Sequence, residues 1–185
     1  AVWSDRDDDP ALQVCSEAHV ASYFDIEMAS RFAKACDVVT YEFENIPAFP
    51  LATVVSDTAL HPSAEILEIS QNRRKEKTFL SQNDFPVTHF EIVTSAEELE
   101  AAVQKLGTPA ILKTASEGYD GKGQVKIEES TRLHKVWESL DTEEAVLEAF
   151  VPFDKELSVI VARSSTREIS CFPAVENVHK NHILD

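Results

Sequence analysis

Apolar positions along the chain switch between the two-residue spacing of strands and the three-to-four-residue spacing of helices. The opening AVWSDRDDDP reads as a strand running directly into an acidic turn. Asp25 stands where it can cap a helix through about Ala35, with Met28 and Phe32 four residues apart on the apolar face. DVVTYEFENIP, residues 37–47, begins as a β-branched run and breaks at Asn45-Ile46-Pro47. A continuous apolar strand followed by a polar loop suits a buried parallel strand, and in open α/β sheets ligands bind beyond the C-terminal ends of such strands.

Further along, Pro62-Ser63 opens a helical stretch that continues through QNRRKEKTFLSQN, residues 71–83. Ser95 and Glu98 form a capping box for a helix carrying Leu99, Val103 and Leu106, which Gly107 stops. AILKTA (110–115) and QVKIE (124–128) read as two strands joined by a glycine-rich turn. A helix near 131–140, the strand AVLEAF with a break at Pro152, and the strands ELSVIVAR and EISCFPAV complete the pattern, the last two joined by the polar segment 164–167. The elements predict a mixed α and β protein of two lobes, with a boundary near residues 56–64.

Of the 185 residues, 43% are hydrophobic, enough for one ordinary domain or two small ones. The net charge of −16, from 33 acids against 17 lysines and arginines, argues against nucleic-acid and membrane-surface partners. Anionic small molecules then need local cations and backbone N–H groups. No apolar run approaches the roughly 20 residues that cross a bilayer, and no secretory signal pattern opens the chain. Cys15, Cys36 and Cys171, without metal or CxxC spacing, read as buried thiols of a cytosolic protein. Both ends look cut, so a part of a longer chain is expected.

Three of the four glycines fall in EGYDGKGQ, residues 117–124. A plain hairpin would account for them. Yet Lys113 lies within the preceding apolar strand, Lys122 within the loop, and Arg73, Arg74, Lys75 and Lys77 form a second basic group. Glycines let consecutive N–H groups converge on an anion, and lysines add point charges. The reading favoured is a nucleotide phosphate clamp on a hairpin. It is neither a Walker loop nor a dinucleotide fingerprint, since GxxxxGK[ST] is absent and no helix follows.

The combination TYEFENIP, LKT…GYDGKGQ, EAFV…E and ENVHKN, in that order from about residue 14 onward, resembles the N5-carboxyaminoimidazole ribonucleotide synthetases, ATP-grasp carboxylases of purine biosynthesis. The resemblance implies an ATP-grasp fold, α+β, preceded by a partial Rossmann-like pre-ATP-grasp domain. Residues 1–60 would belong to the latter and 61–185 to the former, with a lid lobe at about 85–150. It implies that Arg73 and Lys113 contact the ATP phosphates and that Gly118, Tyr119, Asp120, Gly121, Lys122, Gly123 and Gln124 form the lid loop. Glu148, Ala149, Phe150 and Val151 would be the hinge reading adenine, Glu156 the acid for the ribose, and His179 a residue near the nucleotide. Glu42, with Glu44 beside it, would contact aminoimidazole ribonucleotide, as would Tyr119 and Lys122. Asp120 would accept a proton from the substrate amine. An acid closing the apolar run at Glu42 also carries a desolvation cost that favours function.

Three positions depart from the family pattern: Ala115, Glu117, and Asn72 in place of the usual aspartate. The implied reaction is ATP-dependent carboxylation of 5-aminoimidazole ribonucleotide with bicarbonate by way of carboxyphosphate, in a cytoplasmic homodimer. Magnesium would bridge the phosphates through ligands outside this chain, and residues 1–185 alone are expected to be inactive. The alternatives are another ATP-grasp ligase, such as a formate-dependent glycinamide ribonucleotide transformylase or a biotin carboxylase, and a non-catalytic nucleotide-binding module.

Overall fold

A computed structural model describes residues 1–116, 123–180 and 183–184. The chain forms two compact units, residues 1–85 and 86–185.

In the first unit, strand β1 (Val2–Ser4) pairs in parallel with β2 (Ala18–Val20), and a short 3-10 turn (Pro10–Gln13) lies between them. Helix α1 (Ile26–Lys34) starts where the Asp25 carboxylate accepts a hydrogen bond from the Met28 N–H at 2.9 Å. Its buried face, Met28, Ala29, Phe32 and Ala33, forms one side of the core. Strand β3 (Val38–Val39) pairs in parallel with β4 (Ala59–Leu60), across helix α2 (Ala48–Asp57). Leu51, Val54, Leu60 and Leu67 close the core, and Trp3 and Tyr41 pack at its edge. Helices α3 (Ala64–Ser70) and α4 (Arg73–Gln82) follow, capped by Ser63 and Asn72, whose side chains accept from the N–H groups of Ile66 and Lys75. Each cap satisfies an N–H that the first helical turn cannot pair internally.

Two expectations change here. The apolar run at 37–47 enters the ladder only at Val38–Val39, because the chain beyond turns away and its carbonyls bond to side chains instead of a neighbouring strand. The cysteine thiols are free but not buried: Cys15 and Cys36 are half-buried and Cys171 is exposed.

The second unit is built on a four-stranded antiparallel sheet in the order β5-β8-β6-β7. The strands are β5 (Phe90–Val93), β6 (Ala110–Thr114), β7 (Gln124–Ile127) and β8 (Ala145–Ala149). Helix α5 (Ala96–Leu106) separates β5 from β6, and α6 (Leu133–Leu140) separates β7 from β8. Ser95 caps α5 by accepting from the Glu98 N–H, while the Glu98 carboxylate reaches back to the N–H and hydroxyl of Thr94, both at 2.7 Å. Gly107, at φ +80°, ends that helix in a conformation that disfavours a side chain. Alternate residues of the strands bury against α5 and α6: Val93, Ala110, Leu112, Ile127, Ala145 and Leu147 meet Leu99 and Ala102, all nearly or fully inaccessible.

Beyond the sheet, β9 (Glu156–Ser158) pairs with β12 (Val175–Asn177), β10 (Val161–Arg163) with β11 (Ile169–Cys171), and β13 (His179–Lys180) with β14 (Ile183–Leu184), all antiparallel. Each of the runs ELSVIVAR and EISCFPAV thus divides into two strands with different partners. The β10–β11 turn is tight: the Ser164 N–H donates to the Glu168 carbonyl at 2.9 Å and Arg167 adopts φ +69°. Among the described residues no helix is long and apolar enough to cross a membrane.

Candidate functional site

One face of the four-stranded sheet is filled by α5 and α6. Period-two alternation sends the remaining side chains to the other face. The register places Ile111 and Lys113 of β6 there with Glu148 of β8 and Gln124 and Lys126 of β7. Lys113 stands diagonal to Glu148, because Ile111 is the residue directly opposite that acid. Lys113 Nζ donates to Glu148 Oε2 at 2.9 Å. The Glu148 side chain is 8% exposed and the Lys113 side chain 26%. An ammonium inside an apolar strand therefore has a carboxylate partner, and Glu148 is enclosed within the sheet. A carboxylate this buried needs a cation or hydrogen-bond donors, and Lys113 supplies both. What remains accessible of the ammonium lies on the face that the helices leave uncovered.

The β8 strand runs straight into the sequence-predicted hinge. The Ala149 N–H donates to the His89 carbonyl at 2.9 Å, and the Thr88 hydroxyl donates to the Ala149 carbonyl at 3.0 Å. The Phe150 N–H donates to the Pro109 carbonyl at 3.3 Å. These bonds hold Ala149 and Phe150 by their backbone, while the Phe150 ring and Val151 are exposed. Lys126 Nζ lies 5.3 Å from the centroid of the Phe150 ring, within cation–π range.

Glu156 and His179, twenty-three residues apart in sequence, come together on the exposed strands that follow. Glu156 Oε1 accepts from Asn177 Nδ2 at 2.9 Å and lies 3.8 Å from His179 Nε2. On the approach to the sheet's open end, Gly123 takes φ +68° and its carbonyl accepts from the Thr114 N–H at 2.8 Å, while Gln124 pairs in register with Lys113. Gly118, Tyr119, Asp120, Gly121 and Lys122, which carry the phosphate-clamp expectation, lie outside the described residues, as does Glu117.

In the first unit, Glu42 and Glu44 lie past the C-terminal end of β3. Both are exposed, so the desolvation argument made for Glu42 does not hold: a carboxylate in water pays no burial penalty. The loop is fixed through its backbone instead. The Gln71 side-chain amide donates to the carbonyls of Glu44 and Ile46, and the Tyr41 hydroxyl donates to the Ser63 carbonyl at 3.1 Å. Partial burial, and then the nearby Glu44 charge, raise the Tyr41 phenol above its ordinary pKa, which keeps it a donor. Arg73 begins α4, half-buried, with its Nε buried and hydrogen-bonded to nothing among the described residues. Asn72, where the family pattern has aspartate, still performs the capping task, accepting from Lys75 N–H at 3.0 Å.

Three residues in these clusters were not singled out from sequence: Gln71, Lys126 and Asn177. Asn177 sits within the quoted ENVHKN and Gln71 heads the basic run. The partners of Gln71 and Asn177, however, lie 19 to 27 residues away along the chain, a pairing that no local pattern encodes.

The profile of the ATP-grasp domain matches residues 78–185, and that of the ribonucleotide synthetase preATP-grasp domain matches residues 1–71. The chain belongs to the ATP-grasp family. Within it, this ATP-grasp chain is similar to N5-carboxyaminoimidazole ribonucleotide synthases. The Bacillus subtilis enzyme is 42% identical over 177 residues, covering 96% of this chain and 47% of its own length. The Staphylococcus aureus synthetase, solved with ADP, superposes with a TM-score of 0.92 at 34% identity, over 98% of this chain and 49% of that one. The Aspergillus clavatus synthase, solved with ADP and 5-aminoimidazole ribonucleotide, gives a TM-score of 0.85 at 27% identity, over 96% of this chain and 47% of that one. The chain spans about half the length of the curated relatives it matches. The ATP-grasp and pre-ATP-grasp fold expected from the motifs is thus the fold present.

Proposed function

We propose that this chain carries the nucleotide-binding part of an ATP-dependent ligase that carboxylates 5-aminoimidazole ribonucleotide. The observation that supports this most is the match, over 96% of the chain, to a synthase solved with both ADP and that ribonucleotide. Lys113, on the sheet face opposite α5 and α6, is the cation for the nucleotide phosphates. Arg73 is a second, its buried Nε in want of an acceptor. The hinge at 148–151 reads the adenine edge through backbone groups. The N–H groups of Ala149 and Phe150 already bond within the protein, so the donor for that contact is the Val151 N–H. Glu156 takes the ribose hydroxyls with His179 beside it, and Glu42 and Glu44 face the ribonucleotide. The loop 118–124 covers the phosphates, and Tyr119 and Lys122 contact the second substrate; these roles rest on the motif.

Bicarbonate is a poor electrophile because its leaving group would be hydroxide. In the proposed reaction a bicarbonate oxygen attacks the γ-phosphorus, ADP departs, and carboxyphosphate forms. The ribonucleotide amine then attacks the carboxyl carbon, inorganic phosphate leaves, and Asp120 takes the amine proton. Phosphoryl transfer asks the protein chiefly for positioning and charge neutralisation. Carboxyphosphate hydrolyses readily, so water must be excluded while it exists. Magnesium supplies phosphate charge neutralisation in such chemistry. Among the described residues no three His, Cys, Asp or Glu side chains gather as metal ligands, and no step is routed through it. A homodimer is part of the same reading.

Calorimetric titration of ADP and of aminoimidazole ribonucleotide into the purified chain tests the binding half, and saturable binding of both is expected. ADP binding alone would favour a nucleotide-binding module, and binding of neither would overturn the proposal. Turnover is expected of the whole enzyme and not of residues 1–185 alone, and there ADP release should rise with aminoimidazole ribonucleotide and bicarbonate. Stimulation by glycinamide ribonucleotide with formate instead would assign a different ATP-grasp ligase.

A further inference from the structure

Glu156 and Asn177 stand directly opposite each other in the β9–β12 ladder. Asn177 Nδ2 donates to Glu156 Oε1 at 2.9 Å and to Ser158 Oγ at 2.7 Å. A carboxylate only accepts hydrogen bonds, so the amide nitrogen must be the atom that faces it. Residues 156 and 158 project from the same face of β9, and the two bonds from one nitrogen fix the plane of the amide between them. Glu156 itself is exposed, and an exposed glutamate without such a partner samples many rotamers that a ligand would have to freeze.

No other neighbour orients this carboxylate as well. His179 Nε2 lies 3.8 Å from Oε1, beyond hydrogen-bond reach. Lys155, the cation next in sequence, is engaged by Glu176 Oε2 at 2.7 Å. Asn177 is therefore the one short, directional contact of Glu156 among the described residues, and it occupies Oε1 alone.

We infer that Asn177 is a positioning residue for ribose recognition: by anchoring Oε1 it presents Oε2 of Glu156 to a ribose hydroxyl, and so sets the preference for ribonucleotides over deoxyribonucleotides. This deepens the reading of Glu156 as the ribose-binding acid and rests on it. A preorganised acceptor rejects the analogue that lacks its hydroxyl, while a wandering one discriminates less, because the missing contact was only partly formed.

The test compares affinities for ADP, 2′-deoxy-ADP and 3′-deoxy-ADP in the wild-type chain, Asn177→Ala, Ser158→Ala and Glu156→Ala, with thermal melts to establish folding. Wild type should prefer ADP over at least one deoxy analogue by about tenfold. Asn177→Ala should narrow that preference to about twofold or threefold by weakening ADP while leaving the analogue's affinity unchanged. Ser158→Ala, which removes only the second anchor, should narrow it less. Equal weakening of all three nucleotides by Asn177→Ala, or an intact preference in that variant while Glu156→Ala abolishes it, overturns the inference and spares the ribose reading. An intact preference in Glu156→Ala overturns both.

Discussion

The two units hold their candidate site residues in different ways. In the second, the side chains themselves are fixed: Lys113 and Glu148 are placed by a ladder whose other face is packed solid, and they bind each other at 2.9 Å. In the first, the acids Glu42 and Glu44 are exposed, and what is fixed is the backbone that carries them, tied by Gln71 and Tyr41. A charge kept away from water needs a specific partner, whereas a charge left in water needs only a place to stand. The same residue type, glutamate, thus answers to packing energetics at 148 and to loop tethering at 44.

The sharpest way to break this contrast is to remove the ammonium. Lys113→Met leaves the Glu148 carboxylate in a buried strand without the cation that pairs with it. Urea unfolding should show a loss of about 1–3 kcal/mol, below the roughly 3–5 kcal/mol of a fully buried broken pair because Lys113 retains some exposure. ADP affinity should fall roughly tenfold to a hundredfold, the worth of a charge-assisted phosphate contact. Lys113→Met combined with Glu148→Gln should recover stability but not binding. A single variant as stable as wild type would mean that the pair is only decorative.

On the other side, Gln71→Ala removes both hydrogen bonds to the loop carbonyls. A loss of about 1–2 kcal/mol is expected, with faster hydrogen exchange confined to residues 42–47 and none added in the sheet of the second unit. Unchanged exchange in that loop would show that something other than Gln71 holds it.

A smaller effect concerns the helix that presents Arg73. Asn72→Ala deletes its cap and should cost about 1 kcal/mol, while Asn72→Asp should stay within a few tenths of wild type. If Asn72→Ala were silent in unfolding and in ADP binding, the cap would not matter to Arg73.

The smallest is a pH effect in the sheet-backing helix. Hydrogen bonds from the Thr94 hydroxyl, and then its N–H, lower the Glu98 pKa from its ordinary 4.5. A carboxylate depressed in the folded state contributes stability above its unfolded pKa and loses it as pH falls through the folded value. The stability difference between wild type and Glu98→Gln should therefore be constant above about pH 4.5 and shrink below it. A difference that does not change with acid would remove the reciprocal cap from the account.

Much of the fold is legible in the sequence because its signals are local. Asp25, Ser63, Asn72 and Ser95 each bond an N–H three residues on, so a reader of four-residue windows can find the helix starts. The strands 110–114 and 124–127 are legible for the same reason: alternation and a glycine-rich joint lie within one stretch. The run 37–47 misleads because β-branched composition marks what can enter a sheet and not where a neighbouring strand ends.

What the sequence by itself determined was the helices other than α2 and the break between α3 and α4, the antiparallel hairpin strands, the acidic surface and the motifs that mark the chain as an ATP-grasp protein. The tertiary structure alone decided which charges meet. Lys113 and Glu148 are 35 residues apart, Glu156 and Asn177 are 21 apart, and Gln71 reaches back 27 to Glu44. Each of these contacts exists only after strand register and helix packing have been chosen. Burial is likewise a property of the assembled layers: Glu148 is enclosed because β8 is an inner strand, and Glu42 is exposed because its strand ends at Val39. Local physics writes the elements, and the environment of each ionisable group waits on their assembly.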